Sequence, residues 1–310
     1  MTRNDSFQPA YLKLGAKKLM ERSLKARGFL SPCVLCPRQC GADRIGGEFG
    51  HCKTGLVARV SSRNLHHGEE PPISGHRGSG TVFFTYCNLK CVFCQNYPIS
   101  QMGVGEPADA AQLAEMMLQL QEKGAHNINF VTPSHVVASI LEALAIAVKQ
   151  GLKIPLVYNS SGYDSMDELE LLDGVVDIYM PDAKYADNDT AERLSKVDNY
   201  VEVNREALKE MNRQVGILQM DNDGVAQRGL LIRHLVLPEG LAGTDGTMKF
   251  ISEELSKETY ISLMSQYFPA NKASIYPEIS RGVTSKEYKT ALSEMHKYGI
   301  HNGFIQNTPP

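Results

Sequence analysis

Residues 86–96 read Tyr-Cys-Asn-Leu-Lys-Cys-Val-Phe-Cys-Gln-Asn and follow a run of β-strand-forming residues. This spacing places the thiols of Cys87, Cys91 and Cys94 within eight residues. Three thiolates so close together can bind one face of an iron–sulfur cube and leave its fourth iron without a protein ligand. The alternatives are a disulfide, a structural zinc site and a chance pattern. Zinc requires a fourth ligand, and the nearest histidine, His76, lies on the other side of the predicted strand.

A second set of four cysteines lies nearer the start of the chain: Cys33, Cys36, Cys40 and Cys52. Neighbouring glycines let the intervening loop fold back tightly. Four thiolates can complete a tetrahedral shell, which suits a structural zinc, a rubredoxin-like iron or a second cluster, and the spacing does not choose between zinc and iron. Because such a shell has no vacant position, we expect this site to hold structure or to transfer electrons. All seven cysteines are then assigned and no disulfide is needed.

The composition indicates a soluble enzyme. A chain of 310 residues with 42% hydrophobic residues can bury the core of one barrel-sized domain. No stretch approaches the roughly 20 apolar residues of a membrane span, and the polar start at 1–8 is not that of a signal peptide. We therefore expect a cytoplasmic protein without a membrane partner. The net charge of −3 gives no attraction toward nucleic acid, which we do not expect as a partner.

Strand-like and helix-like segments alternate beyond a turn-rich linker at 59–80, which indicates a parallel sheet with crossover helices. The predicted strands are 81–86, 127–132, 154–159, 175–180, 230–237 and 273–276, with a short last strand at 303–305. The predicted helices are 11–26, 107–123, 136–149, 187–197, 201–215, 251–267 and 284–298. The first of these we expect to be a surface helix.

About six βα units are too few for a closed eightfold barrel and match a partial one. The predicted fold is therefore α/β, a partial (βα)6 TIM-type barrel with an N-terminal cysteine-rich metal-binding appendage. We expect residues 1–75 to form the helix, the four-cysteine site and the linker, and residues 76–310 to form the barrel.

Polar side chains follow the predicted strands at their carboxyl ends, where βα-barrels carry their chemistry. The second strand is followed by Thr132, Ser134 and His135, the third by Asn159 and Ser160, and the fourth by Asp182 and Lys184, while Arg233 lies on the fifth. This agreement supports the barrel independently of the cysteines.

These segments resemble the radical S-adenosylmethionine (SAM) superfamily. Within it they resemble the branch related to pyruvate formate-lyase activating enzymes, in a subgroup with an N-terminal four-cysteine motif. The similarity runs from about Cys33 to the C-terminus and is most specific at 87–96. The resemblance implies a [4Fe–4S] cluster whose open iron binds the amino and carboxylate groups of SAM. One electron from the cluster then breaks the sulfonium and produces a 5′-deoxyadenosyl radical, which abstracts hydrogen from a substrate.

The resemblance also implies which residues contact SAM. Asp182 and Lys184 match the Asp-x-Lys that ends the fourth strand in activating enzymes, and alternation places them on one strand face. Arg233 matches an arginine that binds the SAM carboxylate. Asn159 and Ser160 occupy the turn that follows the third strand.

Two departures from the family pattern stand out. The usual Gly-Gly-Glu that receives the SAM amino group is missing, so Thr132, Ser134 or His135 must replace its carboxylate. The cysteine-rich insert that follows the first cluster in activating enzymes is absent. The predicted function is thus an activating-enzyme-like oxidoreductase acting on an unidentified small molecule, peptide or protein, with an electron donor such as flavodoxin or ferredoxin. The alternatives are an activase of a glycyl radical enzyme and a non-catalytic metal or redox scaffold.

Other residues carry weaker signals. His135 could contact SAM or serve as an acid, and helix capping and packing are equally compatible with its position. The pair at 66–67 precedes Gly-Glu-Glu and could form a pocket, but a solvated linker pair is the simpler interpretation. Glu278 is a candidate substrate contact after the sixth predicted strand. The acidic run at 167–173 is predicted to be a solvated helix face.

Overall fold

The computed structural model describes residues 7–307, so most of the predicted polar start lies outside it. The strands of the described residues are β1 (Ala58–His66), β2 (Ser79–Phe84), β3 (Glu106–Ala108), β4 (Ile128–Val131), β5 (Leu156–Asn159), β6 (Ile178–Tyr179), β7 (Gln219–Met220), β8 (Ala226–Leu235), β9 (Tyr260–Met264) and β10 (Gly303–Ile305). They form one sheet in the order β10-β9-β8-β6-β5-β4-β2-β1-β3, and β7 pairs with β8.

Every neighbouring pair from β2 to β10 along this order is parallel. The order is linear, with β3 and β10 at its two ends. A parallel sheet wound by helices and left open in this way is a partial TIM-type barrel. The predicted α/β fold is therefore confirmed.

The helices of the described residues are α1 (Ala10–Gly28), α2 (Pro71–Ser74), α3 (Tyr97–Ser100), α4 (Ala110–Glu122), α5 (Val137–Lys149), α6 (Met166–Leu172), α7 (Asn188–Ser195), α8 (Tyr200–Val215), α9 (Thr244–Phe250) and α10 (Ser285–Lys297). Capping boxes at Asp109 and Thr284 begin α4 and α10, because each side chain accepts a hydrogen bond from an otherwise unpaired backbone N–H. Within residues 7–307, no helix combines the length and apolarity needed to span a bilayer.

Alternation along the strands separates the inside of the barrel from its outer face. An inner apolar cluster is formed by Val157, Met180, Leu231 and Tyr260 with their neighbours. The intervening residues, such as Tyr158 on β5, pack outward in the main core with the helices. Residues two positions along from the inner cluster therefore also point into the barrel.

The segment 67–75, here called the barrel floor, closes the amino ends of the parallel strands. β1 runs antiparallel to β2, with His66 opposite Ser79, so the chain leaves β1 at that end of the barrel. Helix α2 then crosses beneath the strands and buries Ile73 completely in the inner apolar cluster. Asn127 Nδ2 donates to the Ile73 carbonyl at 2.8 Å and fixes the floor to the start of β4.

The prediction of a linker over 59–80 is wrong for its first part. β1 occupies Ala58–His66 and lies between β2 and β3. Its sequence is polar, and only Ala58 and Val60 are buried. Pairing with strands on both sides, which the local sequence does not reveal, forms this strand.

The sixth strand of the barrel was also predicted in the wrong place. The segment predicted as a helix over 251–267 has one turn at Ile251–Leu255 and then the buried strand β9. The segment predicted as a strand at 273–276 is a short helical turn instead. β9 is only five residues long and entirely buried, and periodicity cannot distinguish such a strand from a buried helix.

Helix α1 is attached to the barrel rather than exposed on all sides. Tyr11 is buried and its hydroxyl donates to the Ile154 carbonyl at 2.9 Å, and Ser23 Oγ donates to the Ala138 carbonyl at 3.0 Å. The prediction of a surface helix therefore holds for one of its faces only. The domain boundary at residue 75 stays a prediction, although β1 belongs to the barrel sheet.

Candidate active site

The cysteine loop follows β2 and is held at several points by backbone hydrogen bonds. Lys90 N donates to the Ser195 carbonyl at 3.2 Å, and Val92 N donates to the Leu194 carbonyl at 2.8 Å. These bonds attach the loop to the last turn of α7. The loop therefore has a fixed path at the carboxyl end of the barrel, where the sequence predicts the chemistry.

Hydroxyl and amide groups surround the three thiols of the loop. Ser195 Oγ donates to Cys91 Sγ at 3.0 Å, and Ser100 Oγ lies 3.1 Å from Cys94 Sγ. The backbone N–H of Leu89 donates to Cys87 Sγ at 3.3 Å. Donors aimed at sulfur favour electron-rich sulfur, as in a thiolate or an iron–sulfur cluster.

Burial keeps the free thiols of Cys87 and Cys91 neutral. It raises the pKa of Cys87 to about 12, and the neighbouring Cys91 adds to the shift. Burial likewise raises the pKa of Cys91, whereas the nearby Lys184 ammonium lowers it. Iron binding would therefore release protons here. No three Cys, His, Asp or Glu side chains among residues 7–307 are already spaced as metal ligands, so the thiols fit the cluster by type and neighbourhood and must adjust to bind it.

Asp182 and Lys184 form an ion pair beside the cysteine loop. Lys184 Nζ lies 2.6 Å from Asp182 Oδ2, and both side chains are about four-fifths buried. Burial alone would lower the pKa of Lys184, but Asp182 and the Cys91 sulfur raise it above its ordinary value. The structure thus brings the predicted Asp-x-Lys pair next to the predicted cluster.

Arg233 points into the barrel and is paired with the floor. Its Nε lies 3.1 Å from Glu70 Oε1 and its NH1 lies 3.7 Å from Glu69 Oε2. Burial opposes its charge, but Glu70, Glu69 and Asp182 together raise its pKa. The sequence predicted the position of this guanidinium but not its two carboxylate partners.

A line of interacting charges therefore runs from the cluster loop into the barrel, and we call it the charge ladder. It consists of the Cys91 sulfur, Lys184, Asp182, Arg233 and Glu70: Lys184 lowers the pKa of Cys91, Asp182 and Cys91 raise the pKa of Lys184, and Asp182 and Glu70 raise the pKa of Arg233. The ladder joins the carboxyl end of the barrel to its floor.

Two residues next to the site have a backbone conformation that non-glycine residues rarely adopt. Thr132, directly after β4, has φ of 60°, and Tyr86, directly before Cys87, has φ of 72°. A β-branched residue in this region is strained, and such strain is concentrated at functional sites. Thr132 N donates to the Asn159 carbonyl at 2.9 Å, which brings two predicted SAM contacts together.

Two of the predicted SAM-binding hydroxyls are engaged by a buried carboxylate instead. Ser134 Oγ lies 2.5 Å from Asp164 Oδ1, and Ser160 Oγ lies 2.6 Å from Asp164 Oδ2. Burial raises the pKa of Asp164, and these two hydroxyls oppose the shift. In this arrangement the serines position the loops after β4 and β5. No motif in the sequence pointed to Asp164.

The prediction of a solvated acidic run at 167–173 is wrong for Glu168, which is completely buried. Its carboxyl group is hydrogen bonded by the Tyr158 hydroxyl, and burial raises its pKa well above the ordinary value. Glu170, by contrast, is exposed as expected.

His135 faces the four-cysteine region instead of the barrel interior. Its Nε2 lies 2.9 Å from the Thr85 carbonyl, and its Nδ1 is buried without a partner. Burial lowers the pKa of His135 to about 3, which keeps the ring neutral. The orientation favours the packing interpretation over direct contact with SAM.

The four N-terminal cysteines line one small cavity behind the cysteine loop. The residues around it are Cys33, Leu35, Cys36, Arg38, Cys40, Arg44, His51, Cys52, Asn88 and His135. Arg44 NH1 lies 3.8 Å from Cys33 Sγ, and buried nitrogens of Arg38, His51 and His135 have no hydrogen-bond partner. Buried polar nitrogens without partners around four sulfurs, among them the Arg38 guanidinium donor, fit a metal centre.

The structure also places the remaining histidine and glutamate side chains that the sequence offered as candidate functional residues. His67 is exposed, as predicted for a solvated pair, but His66 ends β1 and is half-buried. The side chains of Glu69 and Glu70, which follow Gly68, are buried. Glu278 follows a helical turn and pairs with Arg193 of α7. His234 faces outward, where Ala183 and Thr244 bind its two ring nitrogens at 2.7 and 2.9 Å.

Comparisons with known proteins identify the class. Residues 81–220 match the model of the radical SAM superfamily. Over 285 residues the chain is 33% identical to the uncharacterised protein MJ0674 of Methanocaldococcus jannaschii, covering 89% of this chain and 77% of that protein. The chain belongs to the radical SAM superfamily, and membership implies a [4Fe–4S] cluster, SAM binding and enzymatic activity.

Solved structures share the fold. SuiB of Streptococcus suis bound to S-adenosylmethionine superposes with a TM-score of 0.51 at 12% identity, over 72% of this chain and 48% of that one. SuiB bound to the precursor peptide SuiA gives a TM-score of 0.50 at 12% identity, over 72% and 47%. The chain thus spans about half the length of SuiB. At this identity the likeness concerns the fold alone.

Proposed function

We propose that the protein is an activating-enzyme-like radical SAM oxidoreductase that abstracts hydrogen from a substrate held inside the partial barrel. Its cluster would be bound by the thiolates of Cys87, Cys91 and Cys94. When bound, the cluster and SAM supply an electron and the 5′-deoxyadenosyl radical. The chain binds SAM and the substrate, orients them and excludes water.

The charge ladder is the observation that carries this proposal. It places a cation, Lys184, between the cluster sulfurs and the carboxylate of Asp182, and a second cation, Arg233, beyond it. SAM presents a carboxylate and an ammonium at the open iron, so fixed charges of both signs match its polar end. Nothing in a purely structural zinc site requires such an arrangement next to the thiols.

The remaining contacts with SAM would come from the loops after β4 and β5. Thr132 and Asn159 lie at adjacent strand ends and face the same opening. Ser134 and Ser160, held by Asp164, would keep these loops in position and offer their backbone groups. His135 would pack behind the cysteine loop, where its Nε2 faces the Thr85 carbonyl.

The N-terminal cavity would hold a second metal centre, either a structural zinc or a second iron–sulfur cluster. Lys90 lies between the two sets of cysteines: burial lowers its pKa, while Cys87 and Cys52 both oppose that shift. Arg38 Nε donates to the Asn88 carbonyl at 2.9 Å and connects the two loops directly. A redox centre at this position would be well placed to receive electrons from flavodoxin or ferredoxin.

Two alternatives to this function can be tested by experiment. A glycyl radical enzyme as substrate would keep the chemistry and change the partner. A non-catalytic scaffold would keep the metals and lose the chemistry.

Anaerobic reconstitution, followed by SAM and dithionite, tests the proposal. The wild type should release 5′-deoxyadenosine, and Cys91→Ala should release none because one iron loses its ligand. Glu142→Gln, on the far surface of α5, serves as the matched control and should retain full activity. Reconstituted wild-type protein that releases no 5′-deoxyadenosine would favour the scaffold.

A further inference from the structure

The barrel floor sends two carboxylates upward into the barrel interior. Glu69 and Glu70 have side chains that are only 7% and 4% exposed, and both face Arg233 on β8. Glu69 Oε1 also accepts a hydrogen bond from Asn129 Nδ2 on β4 at 3.2 Å. The acids therefore lie between opposite walls of the barrel, a position with no counterpart in a solvated linker.

Four polar atoms around these acids are buried without a hydrogen-bond partner: Glu70 Oε2, Asn129 Oδ1, Ser262 Oγ and Arg233 Nε, the last of which lies 3.1 Å from Glu70 Oε1 as an ion pair without hydrogen-bond geometry. Asn129 and Ser262 are completely buried, and Glu70 nearly so. Ser262 pairs in register with Arg233 and lies two residues from Tyr260 of the inner apolar cluster, so its side chain points inward. A buried polar atom without a partner costs about 1–3 kcal/mol. Glu70 and Ser262 both neighbour Arg233, and Asn129 is bonded to Glu69, so the unpartnered acceptors border one ion-pair network, which indicates a ligand.

Three of the unpartnered atoms, those of Glu70, Asn129 and Ser262, can accept a hydrogen bond, and an ammonium group has three donors and no acceptor. The fourth, Arg233 Nε, is a donor that already faces Glu70. Two carboxyl groups face this one guanidinium. Burial raises the pKa of Glu69, and Arg233 opposes that shift. A bound cation would favour the ionised form of both acids, whereas a neutral or anionic ligand would not.

The depth of the acids separates them from the SAM-binding end. Asn129 precedes Thr132 by three residues, which corresponds to about 10 Å along an extended strand. In the proposed function SAM would bind the open iron through its own amino and carboxylate groups at the carboxyl end. Its ammonium would then be held away from Asn129 and Glu69, whereas a substrate inside the barrel could reach them.

Resting on the proposed function, we infer that the substrate carries a protonated amine and that Glu70, Asn129 and Ser262 bind it at the barrel floor. Glu69 and Arg233 complete the site: Glu69 orients Asn129, and Arg233 holds Glu70. The hydrogen to be abstracted would lie on the part of the substrate nearer the cluster.

The test measures amine binding without relying on turnover. Reconstituted, SAM-loaded protein is titrated with n-butylamine, with n-butanol as the neutral isostere and butyrate as the anion, by ligand-observed NMR. The wild type should bind butylamine at least about tenfold more tightly than butanol. Glu70→Gln should abolish that preference, and Glu142→Gln, the same substitution at a surface carboxylate paired with Arg27, should leave it intact.

Ser262→Ala keeps the test decisive if Glu70→Gln does not fold. The Ser262 hydroxyl has no partner to lose, so the variant should fold with an unchanged or higher melting temperature and bind butylamine several-fold more weakly. Equal binding of butylamine and butanol by the wild type would overturn the inference. So would a Ser262→Ala variant that loses SAM affinity and keeps butylamine affinity, since that outcome assigns the site to SAM. Failure to release 5′-deoxyadenosine would count against the proposed function alone.

Discussion

The Nε of Arg233 lies 3.1 Å from Oε1 of Glu70. This ion pair links the carboxyl-terminal part of β8 to the barrel floor, which closes the opposite end of the barrel. The family resemblance implied that Arg233 binds the SAM carboxylate. The structure shows a cation that already neutralises a buried acid. A ligand carboxylate at Arg233 and a ligand amine at Glu70 would therefore compete with, and replace, the same ion pair.

Arg233→Gln should weaken SAM binding about ten- to a hundredfold and leave the iron content intact, because charged hydrogen bonds are worth roughly 1.5–3 kcal/mol. It should also lower the free energy of unfolding, since Glu69 and Glu70 stay buried without a cation. Equilibrium dialysis with SAM, iron analysis and denaturant unfolding measure the three effects. Arg193→Gln, which removes only the surface pair with Glu278, is the control. Unchanged SAM affinity would make Arg233 structural.

Ser195→Ala should make the cluster harder to reduce. Ser195 Oγ donates to Cys91 Sγ at 3.0 Å, and a donor to sulfur stabilises the reduced, more negative cluster. We expect the midpoint potential to fall by tens of millivolts, on the order of 59 mV per tenfold change in the equilibrium. A redox titration followed by EPR measures it. Ser252→Ala, which removes a hydroxyl bound to the Tyr298 carbonyl, should not shift the potential. An unchanged potential in Ser195→Ala would mean that the hydroxyl turns away when the cluster binds.

The cluster loop could be predicted from the sequence because its signal is local. Cys87, Cys91 and Cys94 are close in the chain, so any folded form keeps them together. Asp182 and Lys184 were also predicted, because they match the Asp-x-Lys of activating enzymes and alternation continued past the fourth strand puts them on one face. In the structure they lie just beyond the end of β6 at Tyr179.

The barrel floor could not be predicted because the burial of its acids depends on contacts with residues that are distant in the chain. Glu69 and Glu70 follow two histidines in a polar stretch that resembles a solvated linker. They are buried because β1 delivers them to the closed end of the barrel, opposite a strand more than 150 residues later in the chain. Strand β9 was missed for a related reason: its burial on both faces removes the alternation that would distinguish a strand from a helix.

Cys36→Ser should remove the N-terminal metal and lower the melting temperature, because structural metal binding contributes directly to folding. The cluster at Cys87–Cys94 should still assemble. Cys94→Ser is the reciprocal control and should lose the cluster while keeping the N-terminal metal. Metal analysis of the wild type then identifies the site: about one zinc per chain indicates a structural centre, and iron well above about four per chain indicates a second cluster. A wild-type protein that contains about four irons per chain, with no zinc and no further iron, would refute the N-terminal metal site.

Asp177 should make stability depend on pH in a defined direction. Burial raises its pKa to about 7, although the N–H groups of Ala10 and Leu156 donate to its oxygens at 2.7 and 2.9 Å. The unfolded chain releases this proton near pH 3.9, so the folded state holds one more proton between about pH 4 and 7. The free energy of unfolding should therefore fall as pH rises through that window, by at most about 1.4 kcal/mol per unit, and level off above pH 7.

Denaturant unfolding of Asp177→Asn between pH 4 and 8 checks this dependence. The variant should be less stable at pH 5 and should lack the extra slope, because an amide cannot titrate. Asp173→Asn, at an exposed carboxylate paired with Arg213, should keep the slope of the wild type. A difference between wild type and Asp177→Asn that stays constant with pH would contradict the assignment.

Thr132→Gly tests whether the strained backbone at the end of β4 serves SAM binding. Thr132 has φ of 60°, which costs a β-branched residue about 1–3 kcal/mol, while glycine loses about 0.4–1 kcal/mol through its freer unfolded chain. The free energy of unfolding should rise by up to about 2 kcal/mol. If the Thr132 side chain contacts SAM, affinity should fall in the same variant. Lys196→Gly is the matched control, because exposed Lys196 also has φ of 60° and ends α7. It should gain stability with no change in SAM binding, and equal SAM binding by both variants would remove Thr132 from the SAM site.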